Sequence, residues 1–168
     1  MRRKRFAAMA CPIARTLDIV GEWWTLLIVR DALVGARRFD DFRKSGIADN
    51  ILSARLDLLV REGILERRTY QAHPPRCEYL LTEKGHDLLP VIVGLGMWGL
   101  KWTQGPGRAP RFLHTRCENE VSPTFNCPTC GEVVQPGEIR VARRPVDAAE
   151  ADSELAASAT EAASPVVG

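Results

Sequence analysis

Long hydrophobic runs are missing from this 168-residue chain. Its most apolar segment, LLPVIVGLGMWGLKW at 88–102, is too short to span a bilayer and holds three glycines and a proline. The basic start, MRRKRFAAMACPIARTLDIVG, has no apolar stretch of leader length, because Arg15 and Asp18 interrupt it. A cytoplasmic protein with no membrane partner is therefore expected. The chain also lacks a serine–histidine–acid set, a glycine-rich phosphate loop and an ionisable residue paired with an open metal position, so no enzymatic activity is expected. Cysteines number only five, and in a reducing compartment they serve as free thiols, metal ligands or redox groups rather than structural disulfides. No internal repeat is visible.

Basic residues are absent from one end of the chain. Residues 147–168 hold five of the 21 acidic residues and none of the 23 basic ones, which leaves residues 1–146 with a net charge of about +7. A basic body with an acidic tail suits a polyanionic partner, although a merely solvated surface gives the same totals. The chain reads as five blocks: a basic arm at 1–9, a main domain at 10–103, a Gly/Pro linker at 104–110, a Cys/His-bearing extension at 111–146 and an Ala/Ser/Glu tail at 147–168. The tail has no aromatic residue and too little apolar area to offset chain entropy, so it is expected to be disordered.

Apolar periodicity in the main domain predicts helices at about 11–20, 23–34, 39–45, 50–62 and 83–103, with strands at about 64–71 and 76–81. Asp49 or Asn50 is expected to cap the fourth helix, Gly63 to end it and Thr82 to cap the last. Four helices, a hairpin and a helix is the order of a winged helix-turn-helix. On the fourth helix Leu52, Leu56, Leu59 and Val60 share one side, while Asn50, Ala54, Asp57 and Arg61 share the other with Ser53 between. That outer row is polar and unobstructed, as entry into a major groove requires. Asn bridges an adenine edge, Ser bonds base edges or phosphate, and Ala meets a thymine methyl. Asp57 accepts from a cytosine amino group or pairs with Arg61 one turn on. The plainer alternative is a solvated face of a core helix. The hairpin runs LERRTYQ and RCEYLL, joined by AHPP, place Arg67, Arg68 and Arg76 where they can straddle a phosphate backbone, with Arg76 best placed for a minor groove. Upstream, Arg37, Arg38, Arg43 and Lys44 add a basic flank, and Phe39 and Phe42 belong to the core. Double-stranded DNA is the expected partner.

The stretches CPIARTLDIVGEWWTLLIVRDAL, RRFDDFRKSGIADNILSARLDLLVREGIL and HPPRCEYLLTEKGHDL, with a downstream Trp, resemble in order the HxlR-type winged helix-turn-helix transcriptional regulators of the MarR-like winged-helix superfamily. The resemblance covers about residues 11–103. It implies a homodimeric operator-binding repressor or activator with a tri-helical core, a β-wing and a dimer interface of terminal helices; of the two, a repressor or autoregulator is expected. Base reading then falls to Asn50, Ser53 and their neighbours, and wing contacts to Arg76. Asp57 leaves the operator sequence undetermined.

Outside the hairpin and the outer row, the last helix is apolar at 88, 89, 91, 92, 95, 97, 98, 100 and 102, on nearly all sides. One side suffices for the core of a small domain, so the remainder is expected to meet a second subunit. In the extension, HTRCENEVSPTFNCPTCGE sets His114 and Cys117 two residues apart, then Cys127 and Cys130 two apart and followed by Gly131. Two short-spaced pairs around a loop suit a tetrahedral structural Zn2+, hence a zinc-ribbon-like extension on a mainly α fold with a small β-hairpin wing. A thiol redox pair, and with it a redox enzyme or an interaction adaptor, is the alternative for Cys-x-x-Cys; unliganded thiols are a third. Cys11 stands before Pro12 at a helix start near Arg15, a setting that favours thiolate and a sensor of oxidants or electrophiles, against the alternative of a half-buried packing thiol. Cys77 is expected to be inert. Trp23, Trp24, Trp98 and Trp102 fall to core and interface, where they can line a small-molecule effector pocket between subunits.

Overall fold

A computed structural model of the chain describes residues 6, 9–103, 111–121 and 123–142, and it divides into two units, one within residues 1–123 and the other within 124–168. The division falls after Pro123, not at the expected linker 104–110, which lies outside the described residues. So do the acidic tail and all of the basic arm except Phe6 and Met9.

In the first unit Pro12 opens α1 (Pro12–Val20), where its missing N–H costs nothing. Gly21 ends α1 because nothing larger fits: a Cβ there would lie 2.4 Å from the Leu17 carbonyl oxygen that its own N–H bonds. Glu22 caps α2 (Trp23–Leu33) by accepting the Trp24 N–H at 3.1 Å. Next, α3 (Phe39–Arg43) is two residues shorter than predicted, and the turn after it passes through Gly46 at φ 82°. Helix α4 (Asp49–Arg61) has Ala48 as its cap residue and no side-chain cap bond. Neither Asp49 nor Asn50 caps it, because the helix starts at Asp49, already inside the first turn. Gly63, at φ 68°, takes the left-handed conformation that closes α4.

Strands β1 (Leu65–Gln71) and β2 (Arg76–Leu81) pair antiparallel, Leu65 opposite Leu81 and Arg67 opposite Tyr79, with an irregularity between Thr69 and Gln71. Arg38 bridges Glu78 and the Tyr79 N–H donates to the Arg37 carbonyl at 2.7 Å, so the segment before α3 is tied to β2 by an isolated bridge. The predicted final helix is two. Thr82 caps α5 (Glu83–His86) by accepting the Gly85 N–H, and α6 (Leu89–Trp102) follows. Pro90 has no N–H to return to the His86 carbonyl, so the chain breaks at Asp87–Leu88 and restarts.

Leu52, Leu56 and Leu59 of α4 pack with Ile28 and Val29 of α2, Phe42 of α3 and Ile64–Leu65 to make the core. Truncating one of these leucines to Ala costs about 2–5 kcal/mol. No residue of α6 is buried; Leu89, Val91, Leu95, Trp98, Leu100 and Trp102 are exposed. Phe112 returns to the Gly96 side of α6, where an added Cβ would lie 2.9 Å from its ring, and Leu113 bridges Glu120.

The second unit is a miniature hairpin of β3 (Phe125–Asn126) and β4 (Val133–Val134), joined through Cys127–Glu132 and followed by a 3-10 turn at Pro136–Glu138.

Candidate nucleic-acid interface

The same periodicity that buries Leu52, Leu56 and Leu59 leaves Asn50, Ser53, Ala54, Asp57 and Arg61 exposed on α4. Two anchors hold the helix. Ahead of it, the Arg43 Nε meets Asp49 at 3.0 Å. On its inner side, Arg55 Nε lies 3.0 Å from Glu22, the residue that caps α2, and both side chains are about one quarter exposed. The Arg55 N–H is not aligned for a hydrogen bond, so this contact acts as an ion pair.

The cations around α4 are held lightly. Arg67 on β1 pairs with Asp57 at 3.3 Å, in place of the expected Asp57–Arg61 pair; β1 reaches the carboxylate across the turn at Gly63. Lys44 pairs with Asp41 at 3.1 Å, and Arg43 has Asp40 at 4.0 Å besides Asp49. Arg68 pairs with Glu66 along its own strand at 2.9 Å. Exposed pairs of this kind are worth about 0–1 kcal/mol, so a phosphate can replace the carboxylate cheaply. Arg61 and Arg76 are exposed and make no ion pair among the described residues.

Arg38 stacks its guanidinium 4.8 Å from the centre of the Tyr70 ring, a cation–π contact that ties the flank before α3 to the wing. Tyr70 was not expected in the interface. Its only signal was an aromatic within a basic strand, and its partner lies 32 positions earlier in the chain. Tyr79 packs edge-on against Phe42 at 6.4 Å, and burial pushes its hydroxyl pKa up, partly opposed by Arg67. At Asp41 the Arg38 N–H, the Lys44 ammonium and the Arg37 N–H hold the carboxyl below its ordinary value.

The family model described as HxlR-like helix-turn-helix matches residues 19–106. Rv3095 of Mycobacterium tuberculosis, an uncharacterized HTH-type transcriptional regulator, is 42% identical over 124 residues, 73% of this chain and 78% of its own. This chain belongs to the HxlR-like helix-turn-helix family. Among solved structures, the candidate transcription factor PA1607 is 34% identical, with 84% of the HxlR-like chain and 100% of PA1607 covered at a TM-score of 0.73. The redox regulator HypR in its oxidized form is 34% identical over 56% of this chain and 100% of its own, at a TM-score of 0.50. Among the described residues of the HxlR-like chain, no helix is long and apolar enough to cross a membrane.

The remaining sequence-predicted residues lie elsewhere. Cys11 is exposed at the start of α1, and Arg15 spends a guanidinium bond on the Met9 carbonyl at 3.2 Å. Cys77 is half-buried on β2 with Thr69 Oγ1 at 3.6 Å. His114 and Cys117 belong to the first unit, where Nδ1 and Sγ are 3.1 Å apart across one turn. Cys127 and Cys130 belong to the second. Among the described residues no group of three or more His, Cys, Asp or Glu side chains gathers in metal-binding geometry. Backbone N–H groups of Cys130 and Thr129 are directed at the Cys127 sulfur and lower its pKa.

Proposed function

We propose that this HxlR-like chain is a homodimeric, sequence-specific DNA-binding repressor. The observation that carries the reading is α4: Leu52, Leu56 and Leu59 are buried in the core while the outer row from Asn50 to Arg61 is exposed. Beside that row, Arg67 and Arg76 on the wing and Arg38, Arg43 and Lys44 before the helix suit the two phosphate strands of a groove. The uncovered apolar residues of α6 and of α1, among them Ile13 and Leu17, support a second copy as the natural cover. The experiment is selection of genomic fragments on the purified full chain, followed by transcript measurement after its deletion. Recovered sites should share a two-fold repeat with half-sites about one DNA turn apart, and adjacent genes should rise. Indifferent retention of all fragments, or none, overturns the reading.

Cys11 supports a response to oxidants. It is an exposed thiol at the N-terminal cap of the helix that carries Ile13 and Leu17, and a related structure is described as a redox regulator in its oxidized form. Two Cys11 thiols from paired copies would form one disulfide, giving up two protons and two electrons to a peroxide. Mild peroxide should then alter operator affinity and yield a reducible covalent dimer in the parent chain, and do neither in Cys11→Ser. An equal response from the variant places the sensor elsewhere.

A further inference from the structure

Tyr70 is the extra residue of a bulge in the wing. From Thr69 to Gln71 β1 advances two residues while β2 steps once, from Cys77 to Arg76, so Tyr70 has no partner across the hairpin. A bulge of this kind re-aims the side chain that it frees. Here the freed ring meets Arg38, whose guanidinium carbon lies 4.8 Å from its centre. The backbone of Arg38 is held as well. It bridges Glu78 on β2, its N–H donates to the Asp41 carboxylate at 3.0 Å, and its carbonyl accepts the Asp41 N–H at 2.9 Å. Arg43, Lys44, Arg67 and Arg68 are ordered differently, each by a carboxylate. Arg38 is exposed and makes no ion pair among the described residues. A carboxylate orders a cation by neutralising it, and an arriving phosphate must displace it. A ring orders the cation and leaves its charge and its N–H donors to the phosphate.

We propose that Tyr70 is a positioning residue of the DNA interface, holding the Arg38 guanidinium in place for a backbone phosphate of the duplex. This role rests on the DNA-binding reading and divides the labour within it: Arg38 makes the contact and Tyr70 prepares it. An arginine side chain has several rotatable bonds, and ordering it at the moment of binding lowers affinity. With the ring in place, much of that ordering is already done in the free chain. The ring belongs to β1 and the arginine to the segment before α3, so the same contact keeps the wing and that flank in one arrangement. A cation–π contact needs the ring and not the hydroxyl. Phenylalanine can therefore serve in place of Tyr70, whereas leucine, apolar but without a π face, cannot.

The test titrates full chains into a labelled DNA duplex of arbitrary sequence, since a phosphate contact carries no sequence information, over a series of salt concentrations. Tyr70→Leu should weaken binding about two- to tenfold. The slope of log affinity against log salt should stay at the parent's value, because Arg38 still reaches the phosphate once bound. Arg38→Ala should weaken binding and make that slope shallower by about one. In the Arg38→Ala chain, Tyr70→Leu should then cost nothing more. Tyr70→Phe, which keeps the ring, should recover the affinity that Tyr70→Leu loses. Equal losses from Tyr70→Leu with and without Arg38 would make the ring a contact in its own right and overturn the proposal. So would parent affinity in Tyr70→Leu, or a Tyr70→Phe chain as weak as Tyr70→Leu. Any of these in a parent that binds the duplex leaves the DNA-binding reading standing; a parent that binds no duplex removes that reading and this role together.

Discussion

Arg76 is exposed on β2 and has no carboxylate to answer it among the described residues, whereas Arg67 across the wing is occupied by Asp57. The two arginines therefore start from different states. On the proposed DNA-binding function, Arg76→Ala removes one counterion-releasing contact and should weaken binding to every DNA sequence alike. The slope of log affinity against log salt should become shallower by about one. A slope unchanged from the parent would remove Arg76 from the phosphate contacts. Asn50, in the first turn of α4, has the amide that bridges an adenine edge. Asn50→Ala should relax preference at one base position at a cost of about 1–3 kcal/mol, with non-specific affinity kept. Competition between the preferred site and single-base variants measures this; a uniform loss across them assigns Asn50 to the backbone instead. The outward row was legible from a 3.6-residue period alone. The partners of its charges were not: Asp57 meets Arg67 and Arg38 meets Tyr70 only once strand register and the turn at Gly63 are set.

The elements divide in the same way. Helix ends marked by local chemistry were readable, Thr82 before α5 and Gly63 after α4 among them. Those fixed by a neighbour were not. The split between α5 and α6 needed Pro90 to be counted against His86, and the isolated bridge from Arg38 to Glu78 left no periodic trace. Asp41 holds the front of α3, accepting from the Arg38 N–H at 3.0 Å and the Arg37 N–H at 3.3 Å. Its carboxyl pKa lies below the ordinary 3.8, through the Arg38 N–H first, then Lys44 and the Arg37 N–H. A carboxyl lowered by folding contributes stability that is complete above its unfolded value and is lost as pH falls through the folded one. Asp41→Asn removes that contribution. The urea midpoints of parent and variant should differ at neutral pH and converge once pH drops well below 3.8. A gap that survives acidification would mean that the substitution disturbs packing rather than charge.

For the whole molecule, the proposed homodimer rests on α6, whose Leu95, Trp98 and Trp102 are exposed. Aromatic anchors at the centre of an interface commonly cost more than about 2 kcal/mol when removed, about a 30-fold change in affinity. Trp98→Glu should accordingly shift micromolar protein from dimer towards monomer in sedimentation and reduce operator binding in step. A parent chain already monomeric at that concentration would remove the dimer.

One knot at the base of the wing has a consequence for how the chain survives damage. Thr82 Oγ1 donates to the Gly63 carbonyl at 2.6 Å, its N–H donates to the Ile64 carbonyl at 3.1 Å, and Gly85 sits so close that an added Cβ would lie 2.3 Å from that same Ile64 oxygen. The hairpin from residue 64 to 81 thus leaves and re-enters the domain at one clasp, in addition to the ties that Arg37 and Arg38 make to β2 and Tyr70. A protease that cuts the exposed tip at 72–75 severs the chain but not the clasp. The two pieces should elute together under native conditions and part only in denaturant.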